Sequence, residues 1–257
     1  MNAVRVTEAE LQLATKAAAA AEAVLRSCSH QINAQAGRDI KAQADLDAEA
    51  AILEILRTSD LPVLSEEQGA DARFTLEEDG WIIDPLDGTM NFIRGIPVAC
   101  TCIALWRAGR PALGVIHEHG RHAHWVGGAS IPTTCNGRPC AIGSAGTPAE
   151  AVLATGFPRG LDFSAAAMAN YTARMSAFKK VRMIGCAGLS LAWTAGGHMD
   201  LYLEDGIYLW DVAAGLALVE GAGGSSHLTS VGPHWQTDVV AGVPALVDHA
   251  RAGGVGT

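Results

Sequence analysis

The sequence lacks any long uninterrupted hydrophobic run, although 49% of its 257 residues are apolar. No window of about 18 residues is free of polar residues and turn formers, so no transmembrane helix is expected. The first five residues are followed by Glu8 and Glu10 rather than by an apolar stretch. This start is not typical of a signal peptide and favours a cytoplasmic location.

The chain also lacks an excess of basic residues, because its formal net charge is −9. A nucleic-acid partner is therefore disfavoured on electrostatic grounds, and no membrane partner is expected. Without a secretory signal, the six cysteines are interpreted as reduced thiols. Cys100 and Cys102 alternate along an apolar run, which predicts that both pack into the core from one strand face.

The pattern of apolar residues and turn formers predicts a mixture of helices, hairpins and short buried strands, in an α+β or layered α/β class. A capping box at Thr7 and Glu10 predicts a helix to about Ser29, and Asp45 is expected to start a second helix. Strands are expected at residues 61–64, 81–84, 98–106, 111–118 and 122–126, and residues 127–148 are expected to form a loop. Residues 1–145 are predicted to carry most of the acidic site and residues 146–257 the rest, within one compact unit.

Four acidic segments stand at the predicted ends of strands or starts of helices, where binding sites collect. They are Asp45, residues 65–67 after an apolar strand, residues 84–89 after the next strand, and residues 210–215 at a helix start. Each segment alone is also typical of an ordinary turn, loop or helix cap. Their occurrence together is what favours a functional site.

The segment at residues 84–89 has the clearest physical logic. Pro85 fixes its own backbone and favours an extended Asp84, so a turn here can direct Asp84 and Asp87 towards one point. Two such carboxylates repel each other unless a cation or a proton lies between them. Oxygen ligands favour magnesium, calcium or manganese over zinc, and the backbone N–H groups of Gly88 and Thr89 suit a phosphate. The segment therefore predicts metal-assisted hydrolysis of a phosphate ester.

In these motifs the sequence resembles the inositol monophosphatase family of magnesium-dependent, lithium-sensitive phosphatases. Residues 81–92 are similar to the first family signature, and residues 210–215 with 221–224 are similar to the second. Residues 65–67 are similar to the paired-glutamate motif of the family. The resemblance implies a layered α-β-α-β-α sandwich, a homodimer, a small phosphate-ester substrate and two to three Mg²⁺ ions in each site.

The resemblance also implies residue roles. Glu66, Asp84 and the carbonyl of Leu86 would hold one ion. Asp84, Asp87 and Asp211 would hold a second ion, and Glu67 would support a third. For catalysis, it implies that Thr89, paired with Asp45 and helped by Glu66, activates the attacking water. The substrate would be bound by these residues: Asp87, Gly88, Thr89, Glu204 and Asp211.

The sequence departs from the family pattern at two positions, where Ala42 and Met90 replace common threonines. Several substrates stay open, namely an inositol, sugar, cyclitol or histidinol phosphate, 3′-phosphoadenosine 5′-phosphate, or fructose 1,6-bisphosphate. Glu204 favours a polyol, because a carboxylate accepts hydrogen bonds from hydroxyls and repels a second phosphate. A non-catalytic metal-binding or regulatory protein is a further alternative.

Residues 117–124 contain four histidines, at positions 117, 119, 122 and 124. Their spacing predicts an exposed hairpin with Gly120 and Arg121 at its tip, which binds Zn²⁺ or Ni²⁺ only adventitiously.

Overall fold

The computed structural model describes residues 5–29, 37–158 and 160–254, without the side chains of residues 28, 29, 37–42 and 254. Within these ranges there are seven α-helices: α1 Glu8–Ser29, α2 Gly37–Leu56, α3 Thr89–Ile93, α4 Ala165–Ser176, α5 Ala187–Ala195, α6 Leu209–Gly221 and α7 Pro244–His249. None of these helices is long and apolar enough to cross a membrane.

The same ranges contain thirteen strands: β1 Val63–Ser65, β2 Gly69–Ala70, β3 Gly80–Asp87, β4 Cys100–Arg107, β5 Arg110–Glu118, β6 Ala123–Gly128, β7 Ile131–Cys135, β8 Arg138–Pro139, β9 Val152–Ala154, β10 Lys180–Arg182, β11 Leu201–Tyr208, β12 Ser225–Leu228 and β13 Gln236–Gly242. Eight of them form one sheet in the order β2-β1-β3-β4-β5-β6-β7-β8. The other five form a second sheet in the order β10-β9-β11-β13-β12.

Helices and sheets alternate in five layers. Helices α1 and α2 bury an alanine-rich face, which includes Ala14, Ala18 and Ala21, against one side of the first sheet. Helices α5 and α6 pack between the two sheets, and α4 and α7 cover the outer side of the second. The layered α/β class predicted from the sequence and the α-β-α-β-α arrangement implied by the resemblance are confirmed.

The start of α1 shows how the sequence determines a local structure. Thr7 Oγ1 accepts a hydrogen bond from Glu10 N at 3.2 Å, and Glu10 Oε2 accepts one from Thr7 N at 2.8 Å. Two backbone N–H groups that the first turn leaves without helical partners are thereby satisfied. The capping box and the end of the helix at Ser29 are confirmed.

Two expectations about secondary structure are wrong, and two strands were missed. Asp45 does not start a helix, because α2 begins at Gly37 and places Asp45 in its interior. Residues 127–148 are not a loop throughout, since β7 and β8 extend the first sheet there. Strands β12 and β13 were not predicted. The predicted division at residues 145 and 146 lies between the strands of the first sheet and those of the second. It stays a prediction, because α6 belongs to the second portion but packs against the first sheet.

Candidate active site

A bulge in β3 brings Asp84 and Asp87 to the same side of the first sheet. In a regular strand, residues three apart point to opposite faces. Here Asp84 lies opposite Cys102 of β4, whereas Asp87 lies opposite Cys100. Strand β3 thus advances three residues while β4 advances two, and the extra residue resets the alternation. The convergence predicted from the proline-containing turn is therefore produced by a bulge at Pro85 and Leu86.

Two further acids reach this point from other elements. Glu66 follows β1, which runs parallel to β3 with Ser65 opposite Ile83, so the ends of the two strands lie side by side. Asp211 lies in the first turn of α6. Carboxylate oxygens of Glu66, Asp84 and Asp211 all lie within 4.8 Å of one another. The structure thus brings together acids from three of the four predicted segments.

Asp84 is the most buried of these acids, with only 1% of its surface exposed. Its Oδ1 atom accepts a hydrogen bond from the Leu86 N–H at 2.9 Å, whereas its buried Oδ2 atom has no hydrogen-bond partner. Burial raises the pKa of Asp84 well above its ordinary value, and the charges of Glu66, Asp87 and Asp211 raise it further. The protein alone therefore leaves a negative charge uncompensated here, as expected where a cation binds.

Asp87 has more protein partners than Asp84. Its Oδ2 atom accepts hydrogen bonds from the Gly188 N–H at 2.6 Å and the Cys186 thiol at 3.1 Å. Burial raises the pKa of Asp87 to about 6, although these two hydrogen bonds act in the opposite direction. Cys186 and Gly188 stand some 100 residues beyond Asp87, and no motif indicated them. Sequence reasoning therefore missed both contacts.

Gly88 and Thr89 follow directly and begin α3. Gly88 has a φ of +81°, and a Cβ atom there would lie 2.7 Å from the carbonyl oxygen of Val98, so the turn requires glycine. The hydroxyl of Thr89 donates to the carbonyl of Leu86 at 3.0 Å. This contact joins two residues to which the resemblance assigns roles. Met90, which replaces a common family threonine, is 62% exposed.

Helix α2 supports the loop that carries the paired glutamates. Asp45 is only 3% exposed, and its pairing with Thr89 stays a prediction. Glu49, one turn further along α2, is fully buried and accepts hydrogen bonds from the Ser65 hydroxyl and from the Gln68 N–H at 3.1 Å. Glu66 and Glu67 are exposed between these two anchors. The role of Glu49 was missed, although its spacing of four from Asp45 places both on one helix face.

An open cleft of about 180 Å³ adjoins the acids and contains Glu204. Glu204 Oε2 accepts a hydrogen bond from the Tyr202 hydroxyl at 3.0 Å. Residues that sequence reasoning had not selected also line this cleft, among them Thr155, Gly156, Cys186 and Ser190. A carboxylate on the same cleft as Asp87 and Asp211 can accept hydrogen bonds from hydroxyl groups of a bound molecule.

The donor set and its charge fit a hard divalent cation. The acids offer oxygen ligands, and the unpartnered oxygen of Asp84 lies among three other carboxylates. Ala42, the other departure from the family pattern, lies in α2, and its side chain is outside the described residues. The fold and the site together define a layered α/β protein with an acidic site, suited to a divalent cation, beside an open cleft.

Comparison with known proteins places the chain within this class. The model of the inositol monophosphatase family matches residues 3–243. An inositol-1-monophosphatase from Synechocystis is 35% identical over 228 residues, which are 83% of this chain and 77% of that protein. Nus factor SuhB from Escherichia coli is 32% identical over 214 residues, which are 81% and 80% of the two chains.

Solved structures agree with these relatives. The inositol monophosphatase from Anabaena (Nostoc) has a TM-score of 0.82 and 32% identity, and the match covers 95% of each chain. The protein therefore belongs to the inositol monophosphatase family, whose members are metal-dependent phosphoric monoester hydrolases.

Proposed function

We propose that the chain is a Mg²⁺-dependent phosphatase that hydrolyses a small polyol, sugar or cyclitol phosphate, such as an inositol phosphate. The observation that carries the proposal is the buried, unpartnered carboxylate oxygen of Asp84 beside Glu66 and Asp211. Carboxylates gathered in this way from distant segments favour a hard cation, and the adjoining cleft has room for a small ester.

The acidic residues would serve as the metal ligands. Glu66, Asp84, Asp87, Asp211 and the Leu86 carbonyl would hold two ions, with Glu67 beside a third. Bound Mg²⁺ supplies electrostatic stabilisation of phosphoryl oxygens and lowers the pKa of a water molecule.

The remaining roles concern water and substrate. Thr89 and Asp45 would orient the attacking water and accept its proton, with help from Glu66. The backbone N–H groups of Gly88 and Thr89 would bind the phosphate, between Asp87 and Asp211. Glu204 would accept hydrogen bonds from the hydroxyls of the alcohol.

The test is release of inorganic phosphate from a panel of esters with Mg²⁺ and with a chelator. The panel contains myo-inositol 1-phosphate, glycerol 2-phosphate, histidinol phosphate, fructose 1,6-bisphosphate and 3′-phosphoadenosine 5′-phosphate. We expect Mg²⁺-dependent release, fastest from inositol 1-phosphate. No release from any ester by folded protein that binds Mg²⁺ would contradict the proposal. Light scattering on the same preparation tests the homodimer implied by the resemblance.

Glu204→Gln tests the substrate class separately from the reaction. Asp205→Asn is the matched control, because Asp205 pairs with Arg174 at 2.6 Å rather than lining the cleft. We expect Glu204→Gln to raise KM for inositol 1-phosphate about ten-fold and to leave the KM for phenyl phosphate, which lacks hydroxyls, unchanged. Equal effects on both esters would exclude hydroxyl recognition.

The second candidate is a role as a Nus factor, the name of several relatives. It becomes the leading candidate if the folded protein binds Mg²⁺ and hydrolyses none of the panel. The presence of every candidate ligand favours hydrolysis.

A further inference from the structure

Strands β5 and β6 form the imidazole-rich hairpin within the first sheet. The side chain of His117 projects from the face of the sheet opposite to the acidic site. His117 of β5 and His124 of β6 lie directly opposite each other, with ring centroids 4.1 Å apart. The turn residues Gly120, Arg121 and His122 are exposed, but His117 is only 3% exposed. The prediction of an exposed hairpin is therefore correct for its tip and wrong for its base.

Helix α1 places a carboxylate on this histidine pair. Glu22 Oε2 lies 3.5 Å from His117 Nδ1, which is longer than a normal hydrogen bond. One potential ligand atom from each of Glu22, His117 and His124 lies within 4.8 Å of the other two. The exposed His122 places its Nδ1 atom 3.2 Å from Glu22 Oε1 and can approach the same point.

Three of the four ring nitrogens of His117 and His124 are buried without a hydrogen-bond partner. They are both ring nitrogens of His117 and the Nδ1 atom of His124. A buried polar atom without a partner costs about 1–3 kcal/mol, so three in one place need a compensating interaction. Burial also lowers the pKa of His117 to about 4, which keeps its ring neutral at pH 7 with a lone pair available for a metal.

The donor set discriminates between metals. Two imidazoles and one carboxylate, with an open fourth position, form a set that Zn²⁺ prefers and Mg²⁺ does not. A tetrahedral Zn²⁺ ion places its ligand atoms roughly 3.3 Å apart, so small side-chain rotations suffice to close the cluster. Arg26 opposes binding, because its guanidinium lies 2.7 Å from Glu22 Oε1. Its side chain is 60% exposed, and its guanidinium also lies 3.4 Å from His122 Nδ1.

We propose that Glu22, His117 and His124 form a structural site for Zn²⁺ or a similar borderline transition-metal ion, which fastens α1 to the β5–β6 hairpin. The fourth ligand is His122 or water. The site is separate from the acidic site and does not depend on the proposed phosphatase activity.

The experiment measures Zn²⁺ affinity by competition with a chromophoric chelator, on the metal-stripped full chain in excess Mg²⁺. We expect one tightly bound Zn²⁺ ion per chain. His124→Gln and Glu22→Gln should each weaken binding at least ten-fold, because each removes a ligand with little change in volume. Arg26→Gln should tighten binding by removing the competing cation. His227→Gln, a half-buried histidine of β12, is the matched control and should leave affinity unchanged.

X-ray absorption at the zinc edge identifies the ligands. We expect nitrogen and oxygen at about 2.0–2.1 Å with imidazole scattering. Sulfur at about 2.3 Å would overturn the proposal, because it would place the ion at Asp87, Cys100 and Cys186, whose potential ligand atoms also lie within 4.8 Å of one another. Loss of Zn²⁺ binding in Asp87→Asn, or unchanged affinity in both His124→Gln and Glu22→Gln, would overturn it equally.

Thermal unfolding gives an independent measurement on the same variants. An ion that binds only the folded state raises the midpoint temperature of unfolding. We expect Zn²⁺ to raise it for the wild type and the His227→Gln control, and to raise it clearly less for His124→Gln, in which binding is weaker. A matching increase in His124→Gln would contradict the proposed site.

Discussion

Replacing Asp87 with asparagine should change activity and stability in opposite directions. The substitution keeps the side-chain volume and the acceptor for the Gly188 N–H, but it removes a negative charge from the acidic cluster. As a proposed ligand, Asp87 is needed for turnover, so we expect activity to fall at least a thousand-fold. The metal-free protein should nevertheless become more stable, because the lost charge was buried near Glu66, Asp84 and Asp211.

The magnitude follows from the pKa of Asp87. Burial raises this pKa from 3.8 to about 6, and a difference of that size corresponds to about 3 kcal/mol of folding free energy. Because the folded-state pKa is the higher one, the folded protein holds its proton more tightly than the unfolded chain. The wild type should therefore lose stability as the pH rises from about 4 to about 6. At pH 7 the variant should gain up to about 3 kcal/mol.

Urea unfolding of the metal-free proteins between pH 4 and pH 7 measures this effect. The difference between the variant and the wild type isolates Asp87 from other titrating groups. Asp248→Asn, at an exposed position of α7, is the control and should show no such difference. A variant that is no more stable than the wild type at pH 7, with a difference independent of pH, would refute the argument from a buried charge. Added Mg²⁺ should stabilise the wild type much more than the variant.

Three other predictions concern the same site. Thr89→Ala should lower kcat at least ten-fold with little change in KM, as measured by steady-state kinetics. An effect on KM alone would contradict a role in water activation. Glu49→Gln should lower phosphatase activity, because it weakens the hydrogen bonds to Ser65 and Gln68 that hold the loop carrying Glu66. Excess Mg²⁺ should partly restore the activity of this variant. An unchanged Mg²⁺ dependence would show that the loop needs no such anchor. Li⁺ should inhibit phosphate release at fixed Mg²⁺, and complete insensitivity would count against the ion sites proposed from the resemblance.

The acidic segments could be found in the sequence because each combines carboxylates with a local turn or helix signal. Pro85 and Gly88 mark a turn whose geometry is local, and the structure places Asp84 and Asp87 on one side of the sheet. Which strands pair is a long-range property that local patterns do not encode. The resemblance supplied the link between Asp211 and Asp84, which are more than one hundred residues apart.

The missed features are long-range or lie in weakly patterned segments. The start of α2 was misplaced because Asp45 is a good helix cap, whereas the helix begins at Gly37 and contributes to the core from Ala44 onward. Strand β7 was missed because its proline, Pro132, and its two threonines are typical of a loop. The strand lies near an edge of the first sheet, where proline is tolerated. The burial of His117 depends on α1, which lies about ninety residues earlier in the chain.

The two sites use opposite faces of the same strands, and the alternation of side chains keeps their chemistry apart. On β4, Cys100 and Cys102 face Asp87 and helices α5 and α6, whereas Thr101 lies opposite His117 on the side of α1. One face therefore carries the cluster of carboxylates, and the other carries the imidazoles together with Glu22. Thr101 connects the two faces, because its hydroxyl donates to the carbonyl of Pro85 at 2.8 Å, inside the bulge that directs Asp84 and Asp87. Zinc bound to His117 would therefore act on the acidic site through the position of β4 and its hydrogen bond to the bulge in β3. Thr101→Val removes this hydrogen bond. Zn²⁺ should therefore change the Mg²⁺ dependence of phosphate release less in Thr101→Val than in the wild type.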